Sequence, residues 1–241
     1  FGQSSDMEPI LKWAKKYDLY VIEDNAQSLG TDYTFSDGVK KKTGTIGDIG
    51  TYSFFPTKNL GCFGDGGAIT TNDETLYDRL KTIGVHGQSS KYIHDRIGCN
   101  SRLDTLQAAI LRVKLKQLNH YIEARTKAAD FYREQLSELP FLQLPERLSS
   151  SSHTYNQFTV KVDAEKRDDL QAYLQKNHIP TTVYYPKPIH DQLAYKYIVR
   201  KGGSLASSEQ LCKQVLSLPM HTELNEDQLH YICQKLKAYE G

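Results

Sequence analysis

The sequence predicts a mixed α/β protein of two domains, and three observations carry that reading. Short apolar runs of strand length alternate with stretches of helical period in the first hundred residues. A long helical stretch follows between residues 103 and 136, and beyond it comes a shorter region of the same mixed character. With 241 residues, 39% of them hydrophobic, the chain can bury a sizeable core. The expected division is a larger domain over 1–135, including the long helix, and a smaller α/β domain over 136–241.

Asp6 suits the N-cap of a helix ending near Tyr17, with Met7, Ile10, Leu11 and Ala14 on one face. The run Leu19–Ile22 that follows suits a buried parallel strand. Residues 31–47 are polar and rich in Gly, Lys and Thr, as in an exposed loop or hairpin. Ile49 to Phe55 reads as a strand that stops at Pro56, and Gly67 to Thr71 as another after the glycine-rich turn 61–66. Asn72-Asp73-Glu74 caps a helix carrying Leu76, Leu80 and Ile83. In the 103–136 stretch, Leu106, Ile110 and Val113 form one apolar stripe and Leu111, Leu115 and Leu118 a second, which predicts burial on two sides. The four serines 149–152 mark a flexible turn. Tyr155 to Val162 alternates as a strand does, Ala164 to Asn177 as a helix, and Thr181 to Tyr185 reads as a strand ending at Pro186. Asn225 is placed to cap a last helix with Leu229, Ile232, Cys233 and Leu236 facing inward.

Thirty Lys and Arg against 29 Asp and Glu leave a formal charge of +1, so no basic field draws a nucleic acid or a membrane surface. No apolar run approaches the roughly 18 residues of a membrane span, and no secretory signal pattern opens the chain, so the expected location is the cytoplasm. Cys62, Cys99, Cys212 and Cys233 are far apart and read as free thiols. The eight histidines form no zinc-ligand motif, and no metal is expected. The chain opens on Phe1 and runs straight into a helical pattern, which reads as a start in mid-domain.

Asp24 ends an apolar strand, the place where open α/β sheets hold ligands; an Asp there also caps turns. Ser53 ends a second strand, and Lys58 follows five residues on, in a turn set by Pro56 and Gly61. A free lysine, with a pKa of about 10.4, is a poor nucleophile unless desolvated or crowded by groups that disfavour its charge. Lysine in a loop is usually a solvated charge. With an Asp ending one strand and a Ser and Lys ending another, the pattern fits a pyridoxal phosphate (PLP) site. Gly64-Asp65-Gly66-Gly67 lacks the spacing of a nucleotide loop and is read as a turn.

Six segments carry a resemblance: Glu23–Ser28; Gly47-Asp48 through Ser53–Lys58; Gly64–Ala68; Gly98–Asp104 with Gln107-Ala108-Ala109; Tyr185–His190; and Leu216–His221. In this order they resemble the DegT/DnrJ/EryC1/StrS family of sugar aminotransferases over nearly the whole chain. The resemblance implies a fold-type I PLP transferase, similar to aspartate aminotransferase, with a partial large domain of mixed sheet and a smaller C-terminal α/β domain. It implies that Lys58 holds PLP as a Schiff base, that Asp24 pairs with the ring nitrogen, that Gln27 lies near the ring's phenolic oxygen and that Ser53 donates to the phosphate. Asn100 is expected at the phosphate of a neighbouring subunit's cofactor, which implies a homodimer with shared sites. Family members with histidine in place of the lysine dehydrate instead, so Lys58 implies transfer. The family's phosphate-binding helix N-terminus and stacking aromatic ring are expected upstream of Phe1.

The implied reaction moves an amino group from an amino-acid donor, glutamate, to a keto group on a nucleotide-linked sugar, as in polysaccharide biosynthesis. Tyr184, Tyr185 and His190 are expected on the substrate side; many family chains have His where this one has Tyr184. The 98–114 region looks most like members that aminate the 3-keto position of a UDP-linked N-acetylated sugar uronate. Arg102 would then meet the sugar carboxylate in a bidentate pair, although arginine there also fits a role in pinning the helix start. A dTDP-linked 3- or 4-keto sugar is the alternative substrate, and a non-catalytic fragment the alternative to an enzyme.

Overall fold

The computed structural model describes residues 1–198 and 202–240. They form two compact units, one of residues 2–123 with 147–156, the other of Phe1, 124–146 and residues from 157 onward.

The first unit opens with helix α1 (Met7–Tyr17), strand β1 (Ile22–Asp24) and the hairpin β2 (Asp32–Thr34) and β3 (Lys40–Lys42). Strands β4 (Ile49–Ser53) and β5 (Gly67–Thr70), helix α2 (Glu74–Gly84), the short pair β6 (Gln88–Ser90) and β7 (Ile93–His94), and helix α3 (Thr105–Leu115) follow. Helix α4 (Leu118–Leu136) comes next, and the division between units falls inside it. The main sheet has the order β1-β4-β5, parallel between β1 and β4 and antiparallel between β4 and β5. Behind the β4 end lies a core of Leu60, Cys62, Leu111 and Leu118, with Leu29, Phe54, Leu103 and Ile122 packed on it.

Several expectations for this unit are corrected. The first strand is Ile22–Asp24 and is not buried: Tyr20 is 78% and Ile22 63% exposed. Leu19 belongs instead to the end of α1, where Asp18 turns left-handed (φ 52°) and the Leu19 N–H donates to the Ala14 carbonyl at 2.9 Å. Asp6 sits at the N-cap of α1, but its side chain makes no cap bond; it accepts from the Tyr33 hydroxyl at 2.6 Å. On α1, Met7 and Ala14 are buried while Ile10 is exposed. The long helix is two, α3 and α4, separated at Lys116-Gln117. Only Leu111 and Leu118 of its stripes are buried; Leu106, Val113 and Leu115 are exposed, since no described residue of the unit covers that side. Serines 149–152 turn as expected but are sewn down: Ser151 bridges Tyr33, and the Asp32 N–H donates to Ser152 Oγ at 2.8 Å. The hairpin read in 31–47 is present, and its Tyr33 is buried.

The second unit holds the rest of α4, β8 (Leu142–Gln143), β9 (Phe158–Val162), α5 (Arg167–Lys176), α6 (Ala206–Gln214), β10 (Val215–Leu218) and α7 (Glu226–Lys237). Its sheet, β10-β9-β8, is antiparallel throughout. The alternation read in 155–162 is realised in β9: Phe158, Val160 and Val162 are buried and the residues between them are not. Asn225 and Gln228 form a full capping box on α7, and Leu229, Ile232, Cys233 and Leu236 are buried as expected. Thr181–Tyr185 is not a strand: one bridge, Thr182 to Ser217, is all that forms. Pro180 offers no N–H to lengthen the ladder on one side, and the chain bends at Tyr184 on the other. The expected single boundary at 135 differs from the observed division, because 147–156 return to the first unit through backbone bonds such as Thr154 N–H to the Gly2 carbonyl at 2.8 Å. All four cysteines are free, and among the described residues no helix is long and apolar enough to cross a membrane.

Candidate active site

Register decides what the main sheet presents. Asp24 pairs with Thr51, and Ser53 lies two residues beyond Thr51, so Asp24, Thr51 and Ser53 share one face at the carboxyl ends of adjacent parallel strands. Asp24 is exposed, and its Oδ1 accepts from the Ala26 N–H at 3.1 Å. One of the two sequence readings, the turn cap, is realised through this oxygen; the other oxygen makes no hydrogen bond among the described residues. Gln27 is half-buried in that turn.

The Asp24 end of β1 is held by its neighbours. Glu23 projects to the opposite face, where its carboxylate accepts from the N–H groups of Gly44, Ile46 and Gly47 at 2.8, 2.6 and 2.7 Å. Asn25 is buried; its amide donates to the Thr43 carbonyl at 3.0 Å, its oxygen accepts from the Ser28 hydroxyl, and its N–H donates to the Thr51 carbonyl at 2.9 Å.

Lys58 sits in the loop that leaves β4. Its N–H donates to the Phe55 carbonyl at 2.9 Å, and the Cys62 N–H returns to the Phe54 carbonyl at 2.8 Å. Gly61 closes the turn at a place no side chain fits, since a Cβ there would lie 2.5 Å from the Pro56 carbonyl oxygen. Leu60 and Cys62 anchor the loop in the core, and buried Asn59 ties it to the Thr154 carbonyl at 3.1 Å. Lys58 itself is half-buried, and no hydrogen bond or ion pair engages its amine among the described residues. Ser53 Oγ accepts weakly from the Phe55 N–H at 3.4 Å, which leaves its proton free to donate.

The other expected residues stand apart from this group. Segment 98–101 is stitched to the end of α2 by backbone bonds, among them Ser101 N–H to the Gly84 carbonyl at 2.9 Å, and leaves the Asn100 and Arg102 side chains exposed. Arg102 lines a groove of about 900 Å³ with Thr51, Ile69, Tyr77 and Lys81. Asp24 lines a different hollow of about 240 Å³ with Glu23, Asn25, Ser28 and Thr43. Lys58 and Ser53 line neither.

These architectural features match known proteins. A family model described as the DegT/DnrJ/EryC1/StrS aminotransferase family matches residues 1–237. The chain belongs to this family. A "Pleiotropic regulatory protein" of Geobacillus stearothermophilus is 44% identical over 99% of this chain and 63% of its own length. The "UDP-N-acetyl-3-dehydro-alpha-D-glucosamine 3-aminotranferase" of Acidithiobacillus ferrooxidans is 40% identical over 98% of this chain and 62% of that protein. A crystal structure of a DegT/DnrJ/EryC1/StrS aminotransferase from Brucella abortus superposes with a TM-score of 0.90 at 39% identity, covering 99% of this chain and 62% of that one. The chain thus spans less than two thirds of the length of these DegT-family relatives.

In the second unit of this DegT-family chain, Tyr184 and Tyr185 form an edge-on pair with centroids 5.5 Å apart. His190 lies in a short 3-10 turn, Ile189–Asp191, with its side chain nearly buried; its Nε2 is 3.0 Å from Glu209 Oε1 and 3.8 Å from Asp191 Oδ1. These three offer ligand atoms within 4.8 Å of one another, a cluster the sequence hides because Glu209 is far along the chain. The Leu216–His221 stretch is pinned from α4: Tyr132 donates to the Pro219 carbonyl at 2.9 Å and Arg125 to the Met220 carbonyl at 3.0 Å. Burial brings the Arg125 guanidinium down to about 10. His221 is lowered by its own burial first and then by the Arg125 charge, against the opposing pull of Glu223.

Sequence reasoning missed Glu23, Asn25 and Asn59. The first two lie inside a segment that carries the family resemblance, and a carboxylate or amide next to a site residue was the available signal; their partners, far along the chain, were not visible.

Proposed function

We propose that the protein is a PLP-dependent aminotransferase that moves an amino group from an amino acid, glutamate, to a keto group of a nucleotide-linked sugar in the cytoplasm. The observation that carries the reading is the shared sheet face of Asp24 and Ser53, with the amine of Lys58, unpaired among the described residues, on the loop that leaves the Ser53 strand. Family membership supports it, as do the activity for which the Acidithiobacillus relative is named and the likeness to the Brucella structure, and we read the fold as fold-type I.

The donor set fits the cofactor: a carboxylate suits a pyridinium nitrogen, a hydroxyl a phosphate, and an amine an aldehyde. Bound PLP supplies an electron sink for the charge left when a Cα–H bond breaks. Asp24, with Oδ1 occupied by the Ala26 N–H, would use its other oxygen to hold a proton on the ring nitrogen. Ser53 would donate to the phosphate, and Gln27 would flank the phenolic oxygen. Lys58 would hold the cofactor through its amine, and the same amine, when free, would serve as the general base for the donor's Cα proton. In a homodimer Asn100 would hold the phosphate of the partner's cofactor, and Tyr184, Tyr185 and His190 would contact the sugar.

For the substrate we propose a UDP-linked N-acetylated 3-keto sugar, as in the name of the Acidithiobacillus relative. The finer proposal is that the sugar is a uronate whose carboxylate meets Arg102. Arg102→Lys should then raise KM for the uronate far more than for its C6-hydroxymethyl analogue, and equal effects return Arg102 to pinning the start of α3.

The deciding experiment incubates the protein with PLP, reduces with borohydride and maps the adduct by peptide mass. Label on Lys58, lost in Lys58→Ala without a change in melting temperature, is the expected result. A protein that stays colourless with added PLP, or label spread over several lysines, would overturn the reading and favour a module that does not retain cofactor.

A further inference from the structure

A buried chain of hydrogen bonds runs from the residue after Lys58 to the residue after Asp24. Asn59, only 6% exposed, donates through its amide to the Thr154 carbonyl at 3.1 Å. The Thr154 N–H and hydroxyl both donate to the Gly2 carbonyl, at 2.8 and 3.2 Å. The same carbonyl accepts the Thr31 hydroxyl at 2.7 Å. Thr31 in turn donates its N–H to the Ser28 carbonyl at 2.9 Å, and the Ser28 hydroxyl donates to the Asn25 oxygen. Asn25 closes the path on β4 through its N–H to the Thr51 carbonyl at 2.9 Å.

The path is sealed. Thr31 and Thr154 are at most 1% exposed, so water does not replace a lost partner cheaply. Gly2 is the hub, held at φ +124° where a Cβ would lie 2.6 Å from the Tyr155 nitrogen, so the carbonyl is presented by backbone that admits no side chain. Asn59 keeps one buried oxygen without a hydrogen-bond partner among the described residues.

We propose that this chain, Asn59–Thr154–Gly2–Thr31–Ser28–Asn25, is the device that fixes the Lys58 loop relative to the Asp24 turn, and that Asn59 and Thr31 are positioning residues for cofactor attachment. The proposal rests on the PLP reading above. Both residues are buried, Thr31 at 0% and Asn59 at 6% exposed, and are assigned no contact with the cofactor. They act by preventing the amine and the carboxylate from drifting apart, and displacements of about 1 Å in such pairs cost on the order of 100-fold in rate.

The test compares Thr31→Val, which keeps the volume and removes the hydroxyl, with Thr31→Ser, which keeps the hydroxyl. In the cofactor-free protein, Thr31→Val should speed hydrogen exchange at the amides of Lys58 and Cys62, while Thr31→Ser leaves them as they were. With PLP, Thr31→Val should weaken binding about tenfold and shift the pH dependence of the cofactor's absorbance, with rescue in Thr31→Ser. Asn59→Ser should do the same, and the double variant Thr31→Val/Asn59→Ser should lose less than the sum of the two, since both cut one path. Unchanged exchange at 58 and 62, equal behaviour of the Val and Ser variants, or additive losses each overturn the proposal. The exchange arm needs no cofactor, so it tests the positioning role even if PLP does not attach to Lys58, an outcome that sinks the functional reading by itself. If Thr31→Val fails to fold, Asn59→Ser measured in the same arms decides.

Discussion

Each unit is built on a three-stranded sheet, yet the two sheets are buried to very different degrees. In β10-β9-β8 all four residues of β10 and every second residue of β9 are buried, and α7 adds four buried side chains. In β1-β4-β5 the only fully buried strand residue is Gly50, and α2 buries none. The sheet that carries Asp24 and Ser53 is thus the weakly buried one. Its local order comes from the hydrogen bonds of Glu23, Asn25 and the Lys58 loop together with the small core under Leu60 and Cys62, while the sheet of the second unit is held by more extensive apolar packing. Around Asp24, polar groups are aimed by other polar groups rather than by close-packed apolar neighbours.

Core truncation should sharpen the contrast most. Phe158→Ala removes a fully buried ring whose centroid lies 5.0 Å from that of Tyr132 and should cost about 3–5 kcal/mol. Val113→Ala, on the exposed side of α3, should stay within about 0.5 kcal/mol. Urea titrations followed by far-UV circular dichroism measure both; similar costs would mean that Val113 is covered in solution, by association of the chain through its exposed apolar residues.

Cysteine chemistry gives the next effect. Cys62 reports on the first unit and Cys233 on the second, with exposed Cys99 as the internal control. Iodoacetamide should modify Cys99 at once and Cys62 at lower urea than Cys233; simultaneous modification of the two buried thiols would show that the units open together. Burial pushes the Cys233 thiol from 9.0 up to about 12, partly opposed by Lys237, and burial with the hydrogen bond to Asp169 raises Tyr239 to about 12. Both groups keep in the folded state a proton that the unfolded state releases. Their stabilisation is complete below pH 9 and is lost as the pH rises towards 12. The melting temperature of the second unit should fall over that window, and Cys233→Ala should flatten the lower half of the fall.

A helix end gives a smaller effect than the core truncation. Asn225→Ala opens the capping box of α7 and should cost about 1 kcal/mol, with most of it recovered in Asn225→Ser. A cost near zero would place the stability of α7 entirely in its four buried residues.

Much of this was legible beforehand. The α7 cap, the alternation in β9, the hairpin in 31–47 and the segments that carry the family resemblance all depend on residues close in sequence. The errors share another origin. Leu19–Ile22 has the composition of a buried strand, but burial depends on what covers it, and the left-handed Asp18 had already assigned Leu19 to the helix end. Thr181–Tyr185 has strand composition too, but a ladder needs a partner, and Ser217 supplies only one bridge.

By itself, then, the sequence determined local chemistry: which residues cap, which alternate, and which combination of Asp24, Ser53 and Lys58 resembles a PLP site. Such features are set by hydrogen bonds and side-chain spacings that close within a few residues. Tertiary structure alone decided which apolar stripes are covered, that 147–156 return to the first unit, that Glu209 meets His190, and that Asn59 reaches Thr31 through Gly2 and Thr154. Those outcomes join positions up to 152 residues apart, and the free energy that selects them lies in burial and in partners that exist only once the chain has folded back on itself.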